Sequence, residues 1–420
     1  TNVTCRTIHS IAYSHTPKDV IGRLKGPKLE MKWLVSHLKI KEINVYSDKL
    51  KKNAVVNQFR IVAWVNRTLS KYMNSSATDL ELNHVYIDAD YSLYEFTTAH
   101  KTQILKYAKD LWNYYCNSNC TITHDFYLKT FSLSNINVGY DIIMVDESQD
   151  VNGSMVNILK SQTTSQLIYV GDKFQKIYSF TGTIDITKNN NAETLYLTKS
   201  FRFGSGIAKL ANSWLQKIEP GCGTLYGTDS ETTFKSDKNP NVVICRTNAN
   251  VIKKYIEYTT KDKLLNINIS CEIEPLLKFA QALYDLEKTN TSAHMLLKHF
   301  TSIDVFYKFI EANGDMFDTD IVRIAKLCKE IGANTIIKCF SKYGECTHPD
   351  ILITTAHKAK GLEWDTVQLG DDFNVEDIKS KSTEVNMPHT PQYNKEELRL
   401  FYVAITRTKK CLLGYDQYKS

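Results

Sequence analysis

The sequence predicts a mixed α/β protein built on parallel β-sheets, and two observations support this. Short apolar runs end abruptly in polar residues at 142–145, 167–170, 242–245 and 351–353. Runs of this length that are apolar on both faces are typical of parallel strands covered on both sides. Apolar residues at one-face helical spacing lie between or beside them, over 53–73, from an N-cap at Ser205 to Ile218, and from Pro275 onward. Because ligands bind beyond the carboxyl ends of parallel strands, the polar residues after these runs are candidate site residues.

The strand pattern is interrupted by two long blocks, which we interpret as mainly helical insertions, residues 17–120 and 256–344. The remaining α/β frame then divides into a first domain of residues 1–16 and 121–195 and a second of residues 196–255 and 345–420. We expect loops over Thr228–Asn241 and Val375–Asn394, which are rich in polar residues.

Composition excludes several classes of protein. With 420 residues, 42% hydrophobic and 23% charged, the chain is not collagen-like, wholly disordered or a small disulfide-stapled module. No apolar stretch approaches the roughly 18 residues of a membrane span. The net charge of +6 permits a nucleic-acid partner without requiring one. The ten scattered cysteines show no C-x-x-C spacing, which favours a reducing, intracellular compartment.

The run at 142–145 is followed by the carboxylates Asp146 and Glu147. In phosphoryl transfer, one carboxylate can hold Mg²⁺ while another positions the attacking water. We therefore predict that Asp146 binds the metal and Glu147 acts on the water. A solvated acidic turn after a strand is the alternative.

The next strand end carries Gln175, whose amide could sense a γ-phosphate, and the aromatic residues Tyr178 and Phe180. Aromatic rings can stack on nucleic-acid bases without regard to sequence. Core packing of the two rings is the alternative interpretation.

Two arginines, Arg202 and Arg407, each lie beside apolar structure. An arginine that reaches a γ-phosphate stabilises the transition state, although a single arginine is more often part of a surface ion pair. The segment Thr354–Trp364 adds hydroxyl, imidazole and amine groups beyond a strand, which suits a nucleotide or nucleic-acid phosphates.

In this order, these elements resemble motifs of the UvrD/Rep-type superfamily 1 helicases. Thr7-Ile8-His9-Ser10-Ile11-Ala12 is similar to an earlier T-x-H-S-L motif of that group. The closer resemblance is to the F-box DNA helicase family, through His124–Lys129, Tyr196–Gly204, Arg246–Val251 and His357–Glu363. The matching motifs extend from residue 7 to residue 410.

The resemblance implies two RecA-like parallel-sheet domains, each with a mainly helical insertion, that use ATP and Mg²⁺. It implies 3′ to 5′ movement along single-stranded DNA, in repair or recombination, by a nuclear protein. The implied metal ligand is Asp146, and the implied catalytic residues are Glu147, Gln175, Arg202 and Arg407. The implied nucleotide-binding residues are Phe201, Gly361 and Glu363. The implied DNA-binding residues are His9, Tyr178, Phe180, Arg246, Asn248, Thr355 and His357.

Two departures from the family pattern matter. No G-x-x-x-x-G-K-[ST] phosphate loop occurs in the sequence; in the family it precedes the Thr7 motif, so we expect the first domain to be incomplete. Thr181 stands where the family commonly has Arg. An inactive module that binds single-stranded DNA or a partner protein is therefore an alternative, as is a helicase that acts on RNA. Ubiquitin-ligase partners are expected only if an F-box precedes this chain.

Overall fold

The computed structural model describes residues 3–27, 29–48, 52–88, 91, 94–178, 186, 192–271, 273–294, 297, 300–313, 319–375 and 394–418. The chain forms two compact units, Thr1–Ala192 and Glu193–Ser420. The expected loop at Val375–Asn394 lies almost wholly outside the described residues, and so do Phe180 and Thr181. Within the described residues, no helix is both long enough and apolar enough to cross a membrane.

The first unit begins with three helices and an antiparallel hairpin, followed by longer helices and two parallel strands. Its elements are α1 (Ile8–His15), α2 (Lys18–Gly22), α3 (Met31–His37), β1 (Ile43–Ser47), β2 (Lys52–Val56), α4 (Gln58–Met73), α5 (Thr98–Asn117), α6 (His124–Leu133), β3 (Ile142–Val145), α7 (Gly153–Lys160) and β4 (Gln166–Tyr169). Strands β1 and β2 pair antiparallel, whereas β3 and β4 pair in parallel. One core joins α3, α4 and α5 with the hairpin, and a smaller core joins α1, α6 and α7.

The helix predicted over 53–73 is wrong at its start. Residues 52–56 form β2, and α4 begins only at Gln58 because the Asn57 side chain accepts the Arg60 backbone N–H at 2.9 Å. This N-cap satisfies a donor that the first helical turn would otherwise leave unpaired. Val55 and Phe59, two apolar residues within the predicted helix, are exposed.

The second unit alternates strands and helices. Its elements are β5 (Lys199–Gly204), α8 (Ser205–Ile218), β6 (Tyr226–Thr228), β7 (Val242–Cys245), α9 (Asn248–Lys261), β8 (Ile267–Ser270), α10 (Glu274–Thr289), α11 (Ile303–Asn313), α12 (Thr319–Ile331), α13 (Ala333–Phe340), β9 (Ile351–Thr355), α14 (Ala356–Ala359), β10 (Trp364–Leu369), α15 (Lys395–Ile405) and β11 (Thr408–Leu413). Ser205 is the first residue of α8, and Gly204 takes the N-cap position that the sequence assigned to Ser205.

Five strands of the second unit form a wholly parallel sheet in the order β11-β10-β7-β9-β8, as far as the described residues show. Every residue of β7 is buried, as its apolar run predicts for a central strand. The mixed α/β class with a parallel sheet is therefore confirmed. Strand β8 falls within the block 256–344 that the sequence assigned mainly to helices, and it pairs with β9.

The predicted strands at 142–145 and 167–170 are confirmed as β3 and β4, the latter shifted by one residue. Their environment differs from the prediction, because Ile142 and Met144 are 56% and 70% exposed. Among the described residues, this face of the strands is therefore largely exposed to solvent.

Lys129 on α6 ties the end of α4 to its surroundings. Its side chain is fully buried, and the ammonium donates to the carbonyls of Ser75 at 2.9 Å and Ala77 at 2.6 Å. The same nitrogen lies 4.4 Å from the centre of the Tyr72 ring. Ser154, at the start of α7, donates to the Ser75 carbonyl at 3.1 Å. One short segment after α4 therefore connects α4, α6 and α7.

We expect Lys129 to make the stability of the first unit depend on pH. Burial lowers the pKa of Lys129 to about 8. The folded state then binds this proton less tightly than the unfolded state does. The contribution of Lys129 to the free energy of unfolding therefore rises by up to ~3 kcal/mol between pH values of about 8 and about 10.5. The Lys129→Met variant lacks the titrating group. The free energy of unfolding of the wild type, measured by urea titration, should therefore increase relative to that of Lys129→Met over this pH range.

The matched control is Lys160→Met, since Lys160 is an exposed lysine at the end of α7. This variant should follow the wild-type pH profile. Parallel profiles for Lys129→Met and the wild type would contradict the assignment.

Candidate nucleotide and nucleic-acid site residues

The acidic loop after β3 has a constrained backbone. Asp146 and Glu147 are both exposed, and Asp146 Oδ1 accepts the Glu147 backbone N–H at 2.9 Å. Glu147 adopts the left-handed conformation, with φ 51° and ψ 40°. This conformation costs roughly 1–2 kcal/mol for a residue with a Cβ. The loop thus holds two accessible carboxylates in an orientation that a relaxed turn would not give.

A chain of hydrogen bonds joins the two strand ends. The Gln149 amide nitrogen donates to Glu147 Oε2, and Gln149 Oε1 accepts the Asp172 backbone N–H at 3.1 Å. The Gln175 amide nitrogen donates to Asp172 Oδ2 at 3.0 Å. The predicted base and the predicted phosphate sensor are therefore linked through Gln149 and Asp172. Sequence reasoning assigned no role to these two linking residues.

Gly171 permits the two strand ends to approach each other. A Cβ at this position would overlap Gln149 Oε1 and would lie 2.7 Å from Ser148 Oγ. The Ser148 backbone N–H donates to the Val170 carbonyl at 2.9 Å, which brings the loops together at this point. Only glycine fits without moving the Gln149 amide.

Tyr178 lies close to the acidic loop. Burial raises the pKa of the Tyr178 hydroxyl, and the negative charges of Asp150 and Glu147 raise it further. The structure therefore brings Tyr178 near the carboxylates, while Phe180 lies outside the described residues.

The acidic loop suits a magnesium ion in one respect. Magnesium commonly takes one or two carboxylates, with substrate phosphates and water completing its shell. Asp146 offers one exposed carboxylate of this kind. Groups of three or more histidine, cysteine or acidic side chains able to hold a metal by themselves are absent from the described residues. A cation at Asp146 would therefore need further ligands from water or from a bound nucleotide.

In the second unit, Arg202 and Glu363 form an ion pair with 2.6 Å between Nε and Oε2. Lys409 Nζ lies 2.8 Å from the other carboxylate oxygen, and Arg202 also donates to the Thr406 carbonyl at 3.2 Å. The hydrogen bonds from Lys409 and Arg202 lower the pKa of Glu363. Sequence reasoning missed Lys409, because Lys409-Lys410 resembles an ordinary solvated charge run.

Arg407 is held differently. Its side chain is 1% exposed, and Nε donates to the Val403 carbonyl at 3.0 Å. Nη1 donates to the Leu362 carbonyl at 3.3 Å, so Arg407 fixes the residue that precedes Glu363. Both predicted arginines thus contact the turn at 362–363, but only Arg202 reaches solvent.

The predicted nucleotide-binding residues are accessible. Phe201 on β5 is 82% exposed, and Lys199 Nζ lies 5.8 Å from its ring centre. Gly361 has φ 81°, which lets the chain turn from α14 into β10. These residues therefore present an aromatic face and a tight turn within the same unit as Glu363.

The predicted DNA-binding residues of the second unit are less accessible. Arg246 forms a bidentate pair with Glu397, with contacts of 2.7 and 2.6 Å, and this bonding raises the pKa of Arg246. Asn248 donates to Asp320 Oδ2 at 3.3 Å. Thr355 is buried and His357 is half-buried. The structure does not show these four residues as one open surface.

His9 in the first unit lies on α1 beside α6. Its Nδ1 is 3.3 Å from the Tyr127 hydroxyl, and burial lowers the pKa of His9. His9 is half-buried and lines an open pocket of about 490 Å³ together with Tyr127.

Comparison with known proteins identifies the family. The UvrD-like helicase C-terminal domain matches residues 23–414, so the chain belongs to this family, as its motifs predict. F-box DNA helicase protein 1 of Schizosaccharomyces pombe is 28% identical over 451 residues, covering 99% of this chain and 50% of the relative. F-box DNA helicase 1 of Gallus gallus is 29% identical over 448 residues, covering 98% of this chain and 42% of the relative. A probable DNA helicase II homolog of Mycoplasma capricolum is 35% identical over 85 residues, covering 18% of this chain and 12% of the relative. The chain thus spans half or less of the length of these relatives.

We expect Gly171→Ala to displace Gln149 and destabilise the first unit. The added methyl group would meet a buried amide, and overpacking of this kind typically costs 1–3 kcal/mol. Urea titration should therefore show a free energy of unfolding lower by about that amount.

Gly22→Ala is the control, because Gly22 has right-handed helical backbone angles and nothing within 4 Å of its position for a Cβ. That variant should be unchanged or more stable by up to ~1 kcal/mol. Equal effects of the two substitutions would show that Gly171 has no special packing role.

Proposed function

We propose that the protein of which these residues form part is an ATP-dependent 3′–5′ DNA helicase or translocase acting on single-stranded DNA. The observation that carries the proposal is the hydrogen-bonded chain from Glu147 through Gln149 and Asp172 to Gln175. A solvated acidic turn would not need a buried amide to orient its carboxylate. Membership of the UvrD-like helicase family supports the same function.

In this proposal the first unit supplies the hydrolytic groups. Asp146 would hold Mg²⁺, which neutralises phosphate charge when bound with ATP. Glu147 would accept the proton of the attacking water, and Gln149 would hold the carboxylate that does so. Gln175 would contact the γ-phosphate, and its hydrogen bond to Asp172 would connect that contact to Gln149.

The second unit would supply nucleotide contacts and positive charge. Phe201 would stack on the adenine, and Glu363 would accept a hydrogen bond from the ribose near the Gly361 turn. Arg202 would leave Glu363 to reach a phosphate, while Lys409 keeps the carboxylate paired. Arg407 would have to leave the carbonyls that it now contacts before it could act on a phosphate.

The proposed DNA contacts are His9, Tyr178, Phe180, Arg246, Asn248, Thr355 and His357. The half-buried imidazoles of His9 and His357 and the ring of Tyr178 are accessible enough to support this role. Arg246 would first have to open its pair with Glu397, so it is the costliest of these contacts to use.

We propose that the chain forms two RecA-like domains, each with a helical insertion. The first would comprise residues 1–16 with 121–195, and the second residues 196–255 with 345–420. The exposed face of β3 supports an incomplete first domain, because strands of parallel sheets are normally covered on both faces. The G-x-x-x-x-G-K-[ST] phosphate loop is not among these 420 residues.

Two relatives are named F-box DNA helicases, and these names suggest a cellular role for the protein. We infer a nuclear role in DNA repair or recombination, with ubiquitin-ligase partners only through an F-box outside these residues. The competing function is an inactive module that binds single-stranded DNA or a partner protein.

We expect Glu147→Gln in the full-length protein to abolish ATP hydrolysis stimulated by single-stranded DNA while leaving nucleotide binding unchanged. The amide keeps the shape of the side chain but cannot accept a proton. Steady-state hydrolysis and binding of a fluorescent ATP analogue would measure the two effects separately.

Glu42→Gln, which changes another exposed carboxylate of the first unit, should behave as wild type. Undiminished turnover by Glu147→Gln would refute the role of Glu147. Absence of hydrolysis by the wild-type protein, with DNA binding retained, would favour the inactive module.

A further inference from the structure

The pocket lined by α1 and α6 contains polar and aromatic side chains beyond His9, the residue there to which the proposed function already assigns a role. The described lining residues are Thr7, His9, Ser10, Tyr13, His124 and Tyr127. The helices that carry these residues pack through a small apolar core that includes Ala12 and Leu128. The pocket is therefore formed by packed helices, which hold its side chains more rigidly than a flexible loop would.

Tyr13 is an exposed aromatic residue on the rim of the pocket. Its ring and the ring of Tyr127 meet in a T-shaped contact, with centroids 5.9 Å apart, yet Tyr13 remains 46% exposed. Tyr127 itself is almost completely buried. An aromatic ring that is held by a buried neighbour and is nearly half exposed is suited to stacking on a planar ligand.

Tyr127 also organises two imidazoles. The His9 and His124 Nδ1 atoms lie 3.3 and 3.2 Å from its hydroxyl oxygen. A hydroxyl has one proton, so it can donate to one neutral imidazole and accept from the other. The imidazole that accepts then carries its proton on Nε2, and the other has a bare Nε2. Neither Nε2 has a hydrogen-bond partner among the described residues, so the pair offers one donor and one acceptor.

The charge around the pocket is mixed. Arg6 donates to the Ser10 carbonyl at 2.9 Å and so holds a cation at the rim. Asp125 provides a negative charge near His9 and accepts from the Asn74 amide at 3.3 Å. Burial and the nearby His124 lower the pKa of His9, while Asp125 raises it. Since burial has the largest effect, His9 is neutral near pH 7 and acts through hydrogen bonding.

We propose that this pocket binds one nucleotide of a single DNA strand, with the base stacked on Tyr13 and held through the His9 and His124 imidazoles. A base edge carries both donors and acceptors, which matches the pair of Nε2 atoms, and Arg6 can meet the adjoining phosphate. The inference rests on the proposed function and adds Tyr13, His124 and Arg6 to its DNA contacts. Tyr127 is a positioning residue, because it acts through the two imidazoles.

Fluorescence anisotropy with labelled oligo(dT) and the full-length protein tests the pocket. Tyr13→Ala should weaken binding by about 5- to 150-fold, the loss expected when one stacked base is released. Tyr13→Phe keeps the ring and should bind as wild type. Tyr46→Ala removes another exposed tyrosine of the first unit, on β1, and should have no effect.

An oligonucleotide with the same phosphates but no bases separates stacking from a structural effect. Tyr13→Ala should bind this abasic strand as wild type does, and it should still unfold in a single cooperative thermal transition. Equal losses on oligo(dT) and the abasic strand would overturn the stacking role. Unchanged oligo(dT) binding by Tyr13→Ala, with wild-type hydrolysis still stimulated by DNA, would overturn the pocket but leave the proposed function intact.

Two further outcomes are distinguishable. If the wild-type protein binds no oligo(dT), the proposed function fails along with the pocket. If free thymidine monophosphate displaces oligo(dT) at concentrations comparable to those of the strand itself, the pocket is a site for free nucleotides, which overturns the proposal for a DNA strand.

Discussion

The buried amide of Gln149 is the contact on which the acidic site depends. Both of its polar atoms are used, one by Glu147 and the other by the Asp172 backbone. Because β3 and β4 pair in parallel, their carboxyl ends lie at the same edge, and the amide joins them there. A buried amide left without partners would cost about 1–3 kcal/mol per group. The loop is therefore held to one arrangement, and the left-handed backbone of Glu147 is maintained within it.

Arg202 and Arg246, two arginines of the predicted site residues, differ in how firmly they are held. The pair of Arg202 with Glu363 is partly exposed, and such pairs typically contribute 0–1 kcal/mol. Lys409 would keep Glu363 paired if Arg202 moved away. Arg246 is more buried and bidentate with Glu397, so its release would leave a carboxylate without its partner in a less solvated place. A phosphate can therefore recruit Arg202 more easily than Arg246.

Much of the fold was predictable because short apolar runs mark the positions of strands. The runs at 142–145 and 242–245 coincide with β3 and β7. The error at 53–56 arose because Val55 continues the helical spacing, although Asn57 is a recognisable N-cap. Gln149 could not be identified as a linking residue, since a polar residue after an acidic pair is expected in solvent. Its burial arises from the close approach of Gly171, which only tertiary structure reveals.

The exposed face of β3 is a second feature that the sequence pattern did not predict. The apolar pattern correctly predicts a strand, and it also predicts cover on both faces, which the described residues do not provide. Ile142, Met144 and Ile168 instead form an apolar surface on two parallel strands. Exposed apolar surfaces of this kind often mark contact sites, and parallel sheets are rarely left open. The apolar pattern of β3 therefore predicts the strand correctly but does not identify the residues that would cover its exposed face.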